Sequence, residues 1–151
     1  MAALLLLNGP NLNLLGEREP QIYGTTTLPQ LERLVTVRAQ ELGLGLRAFQ
    51  SIHEGALLDR LHEARAWAAG CLFNPGALTH YAWSLRDAVL AVKFPVVEVH
   101  LSEPKAREPF RHLSVLDGVT AHRVAGKGVP GYLEALEWLA AKLAAAPRPA
   151  S

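Results

Sequence analysis

The chain has 151 residues, half of them hydrophobic, with 15 basic and 14 acidic side chains and a formal charge of +1. That length fits one domain, and the near-neutral balance excludes broad electrostatic binding to nucleic acid or to an anionic membrane. The one cysteine, Cys71 in the apolar run Cys71-Leu72-Phe73, excludes an intramolecular disulfide and fits a reducing cytoplasm.

The first predicted element is a strand over Ala2–Leu7, continuously apolar as a strand buried on both faces must be. This run has no basic segment before it and is shorter than the ~7–15 apolar residues of a secretion signal. No stretch of the chain approaches the ~18–20 apolar residues of a membrane helix. A long aperiodic loop follows, Asn8 to Gly24, carrying Asn11, Asn13, Arg18 and Tyr23 and bracketed late by Gly16 and Gly24. Long loops directly after a strand carry function more often than connection, and glycines at both ends suit a lid.

Thr27-x-x-Gln30 reads as a capping box. It opens a helix whose stripe is Leu28, Leu31, Leu34, Val35 and Leu42, and Gly43 ends it. Leu44–Gln50 is a second strand. Ser51-x-x-Glu54 reads as another capping box, opening a helix with Leu57, Leu58, Leu61, Ala64 and Ala68 on one face and ending at Gly70. Cys71–Phe73 is a third strand, and a loop from Asn74 to His80 leads to a helix over Tyr81–Val92. Val96–Leu101 is a fourth strand, Ser102–Leu116 a second long loop, Val119–Ala125 a fifth strand, and Val129–Leu143 the last helix. The whole is one domain, residues 1–143, with a flexible tail over residues 144–151, whose sequence AAAPRPAS holds no core-forming side chain.

Five strands alternating with helices imply an α/β fold with a parallel sheet covered on both faces, and the common order for five strands is the flavodoxin-like 2-1-3-4-5. Ligands of such sheets bind beyond the carboxyl ends of the strands. Those ends are where Asn11, Arg18, Tyr23, His53, Asn74, His80, Arg107 and Arg111 fall, with Glu98 and His100 at the end of strand four. Two residues apart on a strand, Glu98 and His100 point to the same side. A carboxylate on one ring nitrogen sets the tautomer and favours the protonated ring, as a general acid requires. Phenols ionise only near pH ~10, so Tyr23 needs a cation to act as a base. Arg18, in the same loop, carries a permanent charge; its alternative is surface pairing with Glu17 or Glu19. Asn74, His80 and Arg111 have the chemistry of ligands for hydroxyls and a carboxylate; the alternatives are helix capping by His80 and a solvated Arg111. The six histidines show no spacing that completes a metal site with a carboxylate. A flavin- or phosphate-binding module is the competing reading, but its site needs a hydroxyl- and glycine-rich first loop. Here the hydroxyls, Thr25–Thr27, come only at the next helix start.

Six segments together resemble the type II 3-dehydroquinate dehydratases. They are Asn8–Gly16, Arg18–Pro20 with Tyr23-Gly24, Asn74-Pro75 with Thr79-His80, Leu85–Ala88, Glu98–Ser102 and Arg107–Arg111, which lie within a similarity running from about Leu4 to Leu139. The resemblance implies a flavodoxin-like three-layer sandwich that dehydrates 3-dehydroquinate to 3-dehydroshikimate in the shikimate pathway. The elimination is anti, through an enolate, with no metal or cofactor. On this resemblance Tyr23 is the proton acceptor, Arg18 stabilises the transition state, His100 is the proton donor oriented by Glu98, and Asn11 holds a water against the enolate oxygen. Asn74, His80, Arg111 and the backbone at Leu101–Ser102 bind substrate, while Asp87 reaches a neighbouring subunit's site in a homododecamer built as a tetramer of trimers. The chain departs from the family pattern at Ile52, at Glu103-Pro104-Lys105, and in the Gly-rich stretch Ala125–Gly131, where a Lys and a Pro intrude.

Overall fold

The computed structural model describes residues 1–146. Its strands are β1 (Ala3–Asn8), β2 (Gly45–Gln50), β3 (Ala68–Asn74), β4 (Val96–His100) and β5 (His122–Ala125). Its helices are α1 (Pro20–Tyr23), α2 (Leu28–Glu41), α3 (Glu54–Ala64), α4 (Trp83–Ala91) and α5 (Val129–Ala145). The strands form one parallel sheet in the order β2-β1-β3-β4-β5.

The leucine run of β1 explains the layering. Alternation sends Leu4 and Leu6 to one face, where they join Leu31 and Val35 of α2 and Leu136 and Leu139 of α5. Leu5 and Leu7 go to the other face, against Leu57 and Leu61 of α3 and Leu85 and Val89 of α4. Every one of these four leucines is at most 2% exposed, which a central strand between two helical layers requires. No described helix is long and apolar enough to cross a membrane.

The Thr27 capping box forms as read: Thr27 Oγ1 accepts from the Gln30 amide at 3.3 Å, and the Gln30 side chain accepts from the Thr27 amide at 3.0 Å. Gly43 ends α2 in the left-handed region, at φ 79°. The Ser51–Glu54 box does not form. Ser51 Oγ accepts from the His53 amide, two residues on, and Glu54 turns to Ser84 Oγ on α4. α3 stops at Ala64, and Ala68 and Gly70 belong to β3, paired with Ala3 and Leu4. The reason is tertiary. Gly70 packs under Leu139 of α5, where even a Cβ would lie 3.0 Å from a leucine methyl, so the glycine serves close approach of a helix and not the end of one. β5 begins at His122, because Val119 is held in a turn by its amide bond to the Leu116 carbonyl. α5 extends through Ala145, two residues into the expected tail; residues 147–151 of that tail lie outside the described residues.

Candidate active site

In the order 2-1-3-4-5 the chain leaves β1 toward one sheet edge and β3 toward the other, so a crevice opens beyond the carboxyl ends of β1 and β3. Asn8 and Asn74, the last residues of these strands, are register partners there. The pocket at this point is lined by Asn11, Arg18, Tyr23, Asn74, His80, His100, Leu101, Ser102, Arg107 and Arg111, among others. Nine of the eleven residues to which the resemblance gives a role therefore meet in one place, together with Arg107, while His53 lies outside the lining. Glu98 lies directly behind His100, and Asp87 is exposed on α4, outside the pocket.

The loop after β1 supplies the phenol. Asn11 and Glu19 have positive φ, 73° and 34°, and both lie in this loop. Asparagine takes the left-handed region more readily than most residues; a glutamate there is a strained point next to the site. Gly16 and Gly24, at φ 92° and 80°, flank residues 17–23, of which only Arg18 and Tyr23 are partly buried. The Tyr23 hydroxyl accepts from Arg18 Nη2 at 3.2 Å and from Arg107 Nη1 at 2.7 Å. The Arg18 guanidinium also lies over the Tyr23 ring, 4.2 Å from its centre. Guanidinium groups only donate, so both lone pairs of the phenol oxygen are engaged by permanent cations, and its anion is stabilised from two sides. The sequence pointed to Arg18 for this work and placed Arg107 only among the polar loop residues. Arg107 lies 84 residues from Tyr23, a separation no local pattern bridges. The alternative for Arg18, surface pairing with Glu17 or Glu19, is not what forms; it is Arg107 that lies 3.9 Å from Glu19.

β4 supplies a histidine backed by a carboxylate. His100 Nε2 meets Glu98 Oε2 at 2.6 Å, as alternation predicted, with Glu98 wholly buried and His100 only 5% exposed. Glu98 also accepts from Thr79 Oγ1 at 2.7 Å and from Ser114 Oγ at 3.0 and 3.1 Å. Burial alone would push the Glu98 carboxyl up. The His100 ring, then the Thr79 and Ser114 hydroxyls, outweigh it and hold the group below the usual carboxylate range. Glu98 is therefore a fixed negative charge that accepts the Nε2 proton and leaves Nδ1 as the ring atom able to exchange a proton with a ligand. The sequence assigned no role to Thr79 or Ser114, because a hydroxyl carries no such signal until a buried carboxylate faces it.

The remaining groups surround this pair. Asn74 Oδ1 accepts from the Gly76 amide at 3.0 Å. His80 Nδ1 donates to the Leu113 carbonyl at 2.7 Å, so it ties two loops together and caps no helix. Burial pushes the His80 ring below its ordinary value against the pull of that carbonyl, which leaves Nε2 a neutral acceptor. Arg111 is paired with Glu108 and reaches the pocket wall. The carbonyls of Leu101 and Ser102 are anchored by the amides of Gly128 and Gly126, so the altered Gly-rich stretch positions the end of β4. Thr27, the last hydroxyl of the competing phosphate-loop reading, is occupied in capping α2.

A doubly wound α/β sheet here carries a switch-point pocket in which a phenol between two guanidiniums and a carboxylate-backed histidine stand together, a set of groups with the chemistry for acid–base catalysis. The model of the family described as dehydroquinase class II matches residues 2–140. The 3-dehydroquinate dehydratase of Anoxybacillus flavithermus is 56% identical over 132 residues, covering 87% of this chain and 89% of that protein. The 3-dehydroquinate dehydratase 1 of Corynebacterium efficiens is 56% identical over 137 residues, 91% of each chain. The crystal structure of the type II dehydroquinase from Propionibacterium acnes superposes with a TM-score of 0.90 at 41% identity, covering 93% of this chain and 97% of that one. The chain belongs to the class II dehydroquinase family.

Proposed function

We propose that this enzyme dehydrates 3-dehydroquinate to 3-dehydroshikimate by anti elimination through an enolate, as a step of the shikimate pathway. The observation that carries the reading is the Tyr23 hydroxyl between Arg18 and Arg107 in the same pocket as the His100–Glu98 pair. Tyr23, as phenolate, takes the proton from C2 of the substrate. The C2 electrons pass to the adjacent C3 carbonyl, giving an enolate whose oxygen is stabilised by a water held on Asn11. Collapse of the enolate forms the C1–C2 double bond and expels the C1 hydroxyl, which leaves as water with a proton from His100. Glu98 stabilises the imidazolium before transfer and fixes its orientation. Asn74, His80, Arg111 and the backbone at Leu101–Ser102 bind the hydroxyls and carboxylate; three arginines around the pocket suit an anionic substrate.

The chemistry needs no metal and no Schiff base. Enone formation, followed by ultraviolet absorbance, is expected to persist undiminished in EDTA and after borohydride treatment in the presence of substrate. Loss of activity in EDTA, or a borohydride-trapped covalent adduct, is the contrary result.

The working form is a homododecamer, a tetramer of trimers, in which Asp87 completes a neighbour's site. Supporting this, Asp87 is exposed on α4 beside Tyr81, Trp83 and Leu90, all more than half exposed, an apolar set that a lone protomer leaves uncovered. Light scattering is expected to show a closed oligomer; a fully active monomer removes both the assembly and the role of Asp87. A cytoplasmic setting accords with the one cysteine, Cys71, wholly buried in β3 with its thiol pushed up by burial.

A further inference from the structure

Tyr132 sits in the apolar stripe of α5 and is wholly buried among leucines. A phenylalanine would fill that space equally, so the hydroxyl needs its own explanation. It reaches the switch point from the α2–α5 face of the sheet. There it accepts from Asn74 Nδ2 at 2.8 Å and donates to Asn8 Oδ1 at 2.7 Å, bridging the ends of β3 and β1 beneath the pocket. The direction of this chain is determined at one point. The Gly76 amide can only donate, so it claims Asn74 Oδ1 and leaves Asn74 Nδ2 for Tyr132. The phenol oxygen must then accept, and its proton must find another acceptor, which is Asn8 Oδ1. Asn8 Nδ2 is left buried with no partner among the described residues.

We infer that Tyr132 is a positioning residue, which with Asn8 locks the amide of Asn74 so that it meets the substrate with one fixed polarity. Both polar atoms of Asn74 are held from below and beside, and the second Nδ2 proton and second Oδ1 lone pair are what remain for a ligand. The side chain is only 4% exposed, so a substrate hydroxyl meets an oriented amide and not a rotating one. Burial pushes the Tyr132 phenol up, which keeps it a neutral relay across the working pH range. The inference rests on the reading of Asn74 as a substrate ligand.

The test is a double-mutant cycle of Tyr132→Phe and Asn74→Ala on the full-length enzyme, with KM and kcat for 3-dehydroquinate and the melting temperature of each variant. Loss of an oriented ground-state contact raises KM and spares kcat. Tyr132→Phe is expected to raise KM roughly tenfold with kcat within about twofold, and to change KM by less than about twofold once Asn74 is alanine. An unchanged KM in Tyr132→Phe, or an equal rise in both backgrounds, overturns the inference, since a packing role adds independently of Asn74. If Asn74→Ala itself leaves KM unchanged, the ligand role of Asn74 fails and the inference falls with it. Absence of enone formation by the unaltered enzyme would instead strike the proposed reaction. Should Tyr132→Phe melt below the assay temperature, Asn8→Ala cuts the same chain at its other end and is held to the same two KM criteria.

Discussion

Tyr23→Phe is expected to lose ~10²–10⁴-fold in kcat at every pH, because it deletes the proton acceptor of the proposed mechanism. KM is expected to change little, since the ring still packs against the core beneath the loop. Arg18→Ala behaves differently. The phenol remains, and Arg107 still donates to it at 2.7 Å, but one of the two charges holding its anion is gone. Each tenfold loss of phenolate near neutral pH costs ~1.4 kcal/mol in the barrier. Turnover of Arg18→Ala is therefore low near neutrality and recovers in alkali, where hydroxide generates the phenolate directly. Arg107→Ala is expected to follow the same alkaline recovery, which is the sign that it shares this role. Near-full turnover in Tyr23→Phe removes the base assignment. Identical pH profiles for Tyr23→Phe and Arg18→Ala would mean that Arg18 acts by holding the loop or the substrate and not by stabilising the anion.

His100→Asn is expected to be the second large effect, ~10²–10⁴-fold in kcat, because in the proposed mechanism the departing hydroxyl then leaves without a proton donor. Glu98→Gln keeps His100 and the shape of the site but replaces a buried carboxylate that receives Thr79, Ser114 and His100 together. An amide can keep its oxygen toward His100 and Thr79 and turn its NH2 to the Ser114 hydroxyl, which can accept, so the loss is chiefly that of the charge. A smaller kcat deficit, about 10–100-fold, is expected, below the ~10²–10⁴-fold for loss of the acid itself. The pH dependence carries the sign. The Glu98 carboxyl sits below its ordinary value, so in the unaltered enzyme it stays charged as pH falls through the usual glutamate range and contributes throughout. In Glu98→Gln the charge is missing at all pH values, so the deficit is expected already at neutrality and does not wait for acid. A deficit that appears only at low pH, or an active His100→Asn enzyme, contradicts the assignment of the acid.

The sequence by itself determined the layering and the pairing that alternation dictates. The continuous apolar run Leu4–Leu7 has the pattern of a strand buried on both faces, and β1 is one. Thr27, Gln30 and Gly43 bound α2 through local hydrogen bonds and one local backbone angle. Glu98 and His100 share a side because strands have period two. These are short-range facts, complete within a few residues. What the tertiary structure decided depends on groups distant in the chain. Gly70 reads as a helix end until Leu139 arrives to press on it. Ser51 and Glu54 satisfy the capping pattern, yet Ser84 on α4 claims the glutamate. Arg107 as a second cation on Tyr23, Thr79 and Ser114 as the donors on Glu98, and Tyr132 as the bridge between Asn8 and Asn74 each join residues from separate elements. A side chain's polarity is visible in the sequence, but what it faces in a buried, low-dielectric site is known only once the elements pack, and there an unpaired polar group is costly enough to decide the arrangement.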